Sequence, residues 1–319
     1  MKIQIAGCRG SLPSPSGKDM DGKDFSTTEF GGNTTCYYFE SQNRRIIIDA
    51  GSGIAPLGRY FMEKGLGKNL DLDLYITHTH WDHIQGFPFF TPAYIKGNNI
   101  RVYGEAQITG DLVNTINKTD PTQLSKVLQV NGVGVKAVLA DQQKPRNFPA
   151  PLEYMAGLAG FYDFIPGGKI KQDAQLKVES TSISHPGGCV SYKFTEYKPE
   201  SNEKGKIIIV STDFEPDSNG TDDKLVEWWQ NADLVIADGQ YETNSKQNPF
   251  MKSWGHSDPF IDLELARRAN VKHLLITHFD PKSDDNYLRD FEQRVKAKSL
   301  ADNLDIKVDF AREGSEFEV

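Results

Sequence analysis

Leu72-Asp73-Leu74-Tyr75-Ile76-Thr77-His78-Thr79-His80-Trp81-Asp82-His83 is the stretch on which the reading of this chain turns. Its first half, residues 72–77, reads as a short strand. Its second half places four groups able to ligate a metal within six residues, and three of the seven histidines of the chain fall there. Imidazole nitrogen and carboxylate oxygen suit zinc, iron or manganese. A sharp turn at a strand end can direct two such groups to one ion and two to another. A polar loop with chance histidines is a poor account of that density.

Working outward, the remaining motifs have the same form. Ser184-His185-Pro186-Gly187-Gly188, Ser211-Thr212-Asp213 and Thr277-His278-Phe279-Asp280-Pro281 each follow a strand-like run. Taken one at a time, His185 or His278 could equally be a core histidine. Two divalent ions about 3.5–4 Å apart can share a hydroxide that is deprotonated near neutral pH and can stabilise charge on a phosphoryl or carbonyl oxygen. Such a ligand cluster therefore points to hydrolysis.

The run from His78 to His83 resembles the His-x-His-x-Asp-His motif of the metallo-β-lactamase superfamily, and the later motifs follow in that family's order. The resemblance spans nearly the whole chain. It implies a four-layer αββα sandwich, with one metal on His78, His80 and His185, a second on Asp82, His83 and His278, and Asp213 bridging both. No cysteine enters the ligand set, which separates the chain from true β-lactamases and brings it nearer the hydrolase and phosphodiesterase branches. Two divalent transition-metal ions are the implied cofactors, zinc foremost, with manganese and iron as alternatives.

Several other residues extend the resemblance. Asp49, in Asp49-Ala50-Gly51-Ser52-Gly53, stands where the family carries a carboxylate that orients a metal-binding histidine, although a turn-forming Asp before Gly has the same look. Trp254-Gly255-His256-Ser257 resembles the Gly-His-Ser stretch of ribonuclease Z-like phosphodiesterases, in which a histidine outside the ligand set stands beside the scissile phosphate. His256 is then a proton donor, or else a loop anchor, and Asp238 in Ala237-Asp238-Gly239 is its natural orienting partner. Asp82, His256 and Asp238 are the catalytic assignments that follow. Gly31-Gly32-Asn33-Thr34 resembles a segment of a bacterial subgroup of these hydrolases; it either lines the pocket with amides or simply turns the chain. Trp81, Phe87, Phe89, Phe90, Tyr94 and Trp254 surround the motifs, for core packing or for stacking on a ring. His273, inside a strand, reads as a satisfied core histidine.

The wider pattern agrees with an α/β or α+β body. β-branched runs at 2–6, 34–40, 45–49, 72–77, 100–103, 177–184, 190–195, 206–211, 234–237, 273–277 and 306–310 read as strands, and 222–231, 259–270 and 284–298 as helices. No compositional break marks a linker, so a single domain over residues 1–319 is expected, with a small cap or insertion around 120–171. Residues 10–33, rich in Gly, Ser, Asp and Pro, are long for a plain connection and read as a binding loop.

At 38% hydrophobic and 25% charged the chain should fold and stay in solution. A net charge of -8 opposes a phosphate polymer. Ribonuclease Z inserts its RNA-binding arm between the counterparts of His185 and Asp213, whereas this chain has only two strands and a short connection there. Cys8, Cys36 and Cys189 are too few for a disulfide framework and read as buried thiols. With no apolar leader or membrane-length run, cytoplasmic residence is expected. The expected partner is a small-molecule substrate, with no nucleic-acid polymer and no membrane; a homodimer is compatible with the sequence.

The leading expectation is a phosphodiesterase for a small phosphodiester, such as a cyclic nucleotide, acting through a metal-bridged hydroxide with His256 protonating the leaving oxygen. Hydrolysis of a lactone, thioester or sulfate ester is the alternative within enzymes. A di-iron or ligand-binding member of the fold is the alternative outside hydrolysis.

Overall fold

In a computed structural model, the protein is described over all residues except 19, 43, 107–133, 199–202, 218–221, 243–250 and 252. The strands in chain order are β1 (Lys2–Gly7), β2 (Gly17–Lys18), β3 (Asp24–Phe25), β4 (Cys36–Ser41), β5 (Arg44–Ile48), β6 (Asp71–Ile76), β7 (Asn99–Glu105), β8 (Leu158–Phe164), β9 (Gly168–Gln172), β10 (Leu176–Ile183), β11 (Cys189–Tyr197), β12 (Lys204–Ser211), β13 (Leu234–Asp238), β14 (His273–Thr277), β15 (Lys307–Phe310) and β16 (Glu316–Glu318). The helices are α1 (Ile54–Glu63), α2 (Trp81–Ile84), α3 (Val135–Gln142), α4 (Asp223–Trp229), α5 (Pro259–Arg268) and α6 (Asp285–Ala301).

The chain divides into two compact units, one of Thr35–Pro166 and one of Met1–Thr34 with Gly167–Val319. The first is built on the sheet β4-β5-β6-β7-β8, in which the β4–β5 hairpin is antiparallel and the later pairs are parallel. Parallel strands covered on both faces need apolar side chains throughout, and Ile46, Ile47, Ile48, Leu72, Leu74 and Ile76 are buried accordingly. Helix α1 covers this sheet through Ile54, Leu57 and Phe61, which share one helical face.

The second unit carries the sheet β15-β14-β13-β12-β11-β10-β9. Its antiparallel half, β9 to β12, gives way to a parallel half, β12 to β15. Every residue of Leu234–Asp238 is buried. The three helices start on side-chain caps: Asp222 accepts from Leu225 N–H, Asp258 from Phe260 N–H and Asp284 from Tyr287 N–H. Pro259 after Asp258 starts α5, as its sequence suggests.

Every strand and helix read from the sequence is present, with ends moved by a few residues. Helix α1 was not foreseen, because Pro56 and Gly58 interrupt its pattern; Pro56 lies in the first turn, where a missing N–H costs no helical bond. The expected binding loop is folded back on its own unit. Asp285 accepts from Ser26 Oγ at 2.6 Å and from the N–H groups of Glu29 and Phe30 at 3.1 Å each. Glu313 accepts from the N–H groups of Gly32 and Asn33 at 3.0 Å each. Residues 120–133 of the expected cap lie outside the described residues; those that follow form α3, β8 and β9. His273 is half-buried rather than a core residue, and Asp309 pairs with its Nε2 at 3.1 Å. The three cysteines form no disulfide and are buried, and no described helix is long and apolar enough to cross a membrane.

Candidate metal centre

Within Thr35–Pro166 the first ligand set grows from the end of β6. The strand stops at Ile76, and His80 in extended backbone opens the single turn of α2, so Asp82 and His83 are presented back toward the strand end. The ring of His78 lies 4.4 Å from that of His80 and 4.2 Å from that of His83, centroid to centroid. Asp82 Oδ2 is 3.3 Å from His83 Nε2. The four side chains are thus neighbours, with His78, Asp82 and His83 buried and His80 exposed.

Asp49, at the end of β5, holds this set. His83 Nδ1 donates to its Oδ2 at 2.7 Å, Thr77 N–H to its Oδ1 at 2.7 Å and Thr77 Oγ to Oδ2 at 2.8 Å. Burial pushes the Asp49 carboxyl up, opposed by His83 and by the Thr77 donors. The Nδ1 of His83 is thus committed to Asp49, the arrangement by which carboxylates orient metal-ligating imidazoles. Thr77 was not foreseen as part of this support; its place between strand and ligands is the only signal the sequence offered.

The second set lies within Gly167–Val319 and comes from three strand ends. Asp213 follows β12, Asp238 closes β13 and His278 follows β14. Because these strands are parallel neighbours, their C-terminal ends lie together and so do the residues that follow. Ligand atoms of Asp213, Asp238, His256 and His278 all lie within 4.8 Å of one another. Asp213 Oδ1 is 3.1 Å from His278 Nε2. His256 stacks on His278 at 5.0 Å and meets His185 edge-on at 5.3 Å. Its Nδ1 donates to Asp238 Oδ2 at 2.7 Å, and Asp238 Oδ1 accepts from Gln240 N–H at 2.9 Å. His185 Nδ1 donates to the Gly255 carbonyl at 2.8 Å.

Left-handed backbone occurs at three of these positions. Asp49, Asp213 and His278 all have left-handed backbone, with φ of 61°, 57° and 60°. A residue other than glycine pays about 1–2 kcal/mol for that conformation, and such strain gathers where a side chain must be aimed against local preference. Close packing adds to it: a Cβ on Gly10 would fall 2.4 Å from His278 Cε1, so only glycine fits beside that ring. Gly10 and Gln240, which donates to Ser11 Oγ at 3.1 Å, are further residues the sequence did not single out.

The donor chemistry fits divalent transition metals. Imidazole and carboxylate are their usual ligands, and in both His83 and His185 the Nδ1 meets an acceptor oxygen, the arrangement that orients an imidazole to ligate through Nε2. Of the aromatics around the motifs, Phe87 and Phe90 are buried in the core, whereas Trp81, Phe89 and Trp254 are more than half exposed. Core packing therefore accounts for only part of that group.

No family model matches the chain. It is similar to a ribonuclease Z of Alkaliphilus oremlandii (strain OhILAs), at 24% identity over 281 residues, 75% of this chain and 81% of that protein. Among solved structures it is similar to human tRNase Z, short form, with a TM-score of 0.62 and 16% identity, covering 100% of this chain and 99% of that one. A metallo-β-lactamase fold protein from Bacillus subtilis gives a TM-score of 0.61 at 18% identity, covering 100% and 99%. The chain has the metallo-β-lactamase fold that its motifs led us to expect, and its likeness in sequence runs to ribonuclease Z.

Proposed function

We propose that the protein is a metal-dependent hydrolase of phosphodiester bonds, that its substrate is a small phosphodiester, a cyclic nucleotide being one example, and that it uses two divalent transition-metal ions, zinc foremost. The observation that carries this reading is His256: its Nδ1 is fixed on Asp238 at 2.7 Å, and its ring packs against His278 and His185. A histidine so oriented has Nε2 left to hand a proton to a departing alcohol oxygen, which phosphodiester cleavage needs.

The motif resemblance implies the ligand assignment, and the donor chemistry fits it. His78, His80 and His185 would hold one ion and Asp82, His83 and His278 the other, with Asp213 available to both. Bound there, such ions lower the pKa of water and polarise a phosphoryl oxygen. The chain's own groups do the rest. Asp49 and the Gly255 carbonyl fix the tautomers of His83 and His185, Asp238 fixes that of His256, and His256 supplies the proton.

Three features support a small substrate. The net charge of -8 opposes a polyanion. Between β11 and β12 there are only residues 198–203, too few for a gripping arm. A cavity of about 450 Å³ beside His185 is lined in part by Glu215, Asp217 and Asp222, carboxylates that discourage a second phosphate. A second reading, cleavage within an RNA chain, is favoured by the likeness to ribonuclease Z. Buried thiols that form no disulfide accord with the reducing cytoplasm as the place of action.

The test is turnover by the zinc-, manganese- or iron-loaded protein of nucleoside cyclic phosphates, an aryl phosphodiester, a precursor transfer RNA, a lactone and a thioester. Cleavage of the cyclic or aryl phosphodiesters in preference to RNA is expected. Preferred cleavage of the transfer RNA would move the assignment to the second reading, and action on the lactone or thioester alone would end both.

A further inference from the structure

Glu215 lies two residues beyond Asp213 and is absent from every ligand or proton-transfer role considered above. Its carboxylate is nonetheless spent on one purpose. Oε1 accepts from Ser253 N–H at 2.9 Å and Oε2 from Gly255 N–H at 3.0 Å. Its own N–H donates to the Ser184 carbonyl at 2.8 Å, so its backbone is pinned beside His185.

The turn it grips is strained. Ser253 and Gly255 both have positive φ, 72° and 87°, which aims alternate backbone N–H groups inward as a nest for an anion. The same turn does two things for the site. Its Gly255 carbonyl takes the Nδ1–H of His185 at 2.8 Å, and its next residue is His256. Packing allows little freedom: a Cβ on Gly255 would fall 2.2 Å from His185 Nδ1.

We infer that Glu215 is a positioning residue, an internal anion that holds the Ser253–Gly255 turn and so fixes both the tautomer of His185 and the reach of His256. Without the carboxylate, two N–H groups in a strained turn lose their acceptor, the turn relaxes, and the Gly255 carbonyl leaves His185. The ring then exchanges between Nδ1–H and Nε2–H forms, and the second form cannot ligate through Nε2. This inference rests on the assignment of His185 as a ligand and His256 as proton donor, but its first two readouts need no substrate.

Glu215→Gln, Glu215→Asp and Glu215→Ala are compared with the unaltered chain. Long-range ¹⁵N–¹H correlation spectra of the metal-free protein report the His185 tautomer, and zinc competition reports affinity. In Glu215→Gln and Glu215→Ala we expect mixed His185 tautomers, and a zinc dissociation constant raised about 10- to 100-fold, as for other groups that orient a ligand. Glu215→Asp should restore part of each. At saturating zinc, turnover should fall more for alkyl than for nitrophenyl phosphodiesters, because His256 is displaced too. Unchanged tautomer and zinc affinity in a folded Glu215→Gln would overturn the inference; that isosteric variant keeps the test open should Glu215→Ala fail to fold. A wild-type protein with no phosphodiesterase activity would instead sink the functional reading while leaving the tautomer and zinc results interpretable.

Discussion

His83 donates its Nδ1–H to Asp49 Oδ2 at 2.7 Å, with both side chains fully buried. Asp49 is held in turn by two donors from Thr77 and keeps left-handed backbone with φ 61°. A buried carboxylate in a strained conformation, satisfied by one ligand histidine and the residue before the ligand run, is placed to orient His83. Asp49→Asn keeps the volume but can present an amide N–H to Nδ1, favouring the wrong tautomer. We expect metal affinity to fall by about 10- to 100-fold with the fold intact. Metal analysis after dialysis, beside a circular dichroism spectrum, checks this; full metal retention would make Asp49 a turn residue only.

Asp213 is the one carboxylate assigned to both ions, and it projects from a left-handed residue beside His278. Asp213→Ala should therefore weaken both metals together, and His185→Ala chiefly one. Zinc titration with two resolvable affinities distinguishes the patterns. Loss of a single site from each variant would remove Asp213 from the bridging role.

The parts of this arrangement that were legible in the sequence are those whose chemistry is local. His78 to His83 announce themselves by density. His185, Asp213 and His278 announce themselves by following strands, and parallel pairing of β12, β13 and β14 explains why Asp213 and His278 meet. Much of what was hidden acts through backbone. Glu215 works on two N–H groups, and Gly10 works by having no side chain against the His278 ring. Neither leaves a residue pattern, because any sequence can supply an N–H and most turns contain a glycine. Helix α1 was hidden for another reason: its Pro56 and Gly58 oppose helix locally, and tertiary packing of Ile54, Leu57 and Phe61 overrides them.

Asp285 ties the 26–30 segment to the start of α6. Burial pushes its carboxyl up, but the donors from Ser26, Glu29 and Phe30 outweigh that and hold it below the usual carboxylate range. A carboxyl with a depressed folded-state pKa stabilises the fold fully above its unfolded value, near 4, and loses that contribution as pH falls through the folded value. Asp285→Ala should thus cost about 1–3 kcal/mol at pH 7 by stranding these donors. The charge-dependent part of that cost should shrink on acidification. Urea unfolding of both proteins at pH 7 and at the lowest pH where each still folds checks the trend; a gap that widens in acid would refute it.

His256 separates catalysis from metal binding most sharply, because it lies within reach of the candidate ligand atoms of Asp213, Asp238 and His278 and is held by Asp238, yet stands outside the ligand set that the motif resemblance implies. His256→Ala should keep its metal. If Nε2 protonates the leaving oxygen, turnover of phosphodiesters with a basic alcohol leaving group should fall by roughly 10²–10⁴, the range for general acid catalysis. A nitrophenolate leaves with little need of a proton, so its turnover should fall far less. Asp238→Asn should give the same pattern more mildly, since it deprives the imidazole of a charged acceptor without deleting it. The two-substrate comparison matters because a collapsed site would slow both alike. Equal loss for the two leaving groups, or metal departing with the side chain, would make His256 a ligand or an anchor, and the proton would have to come from another group.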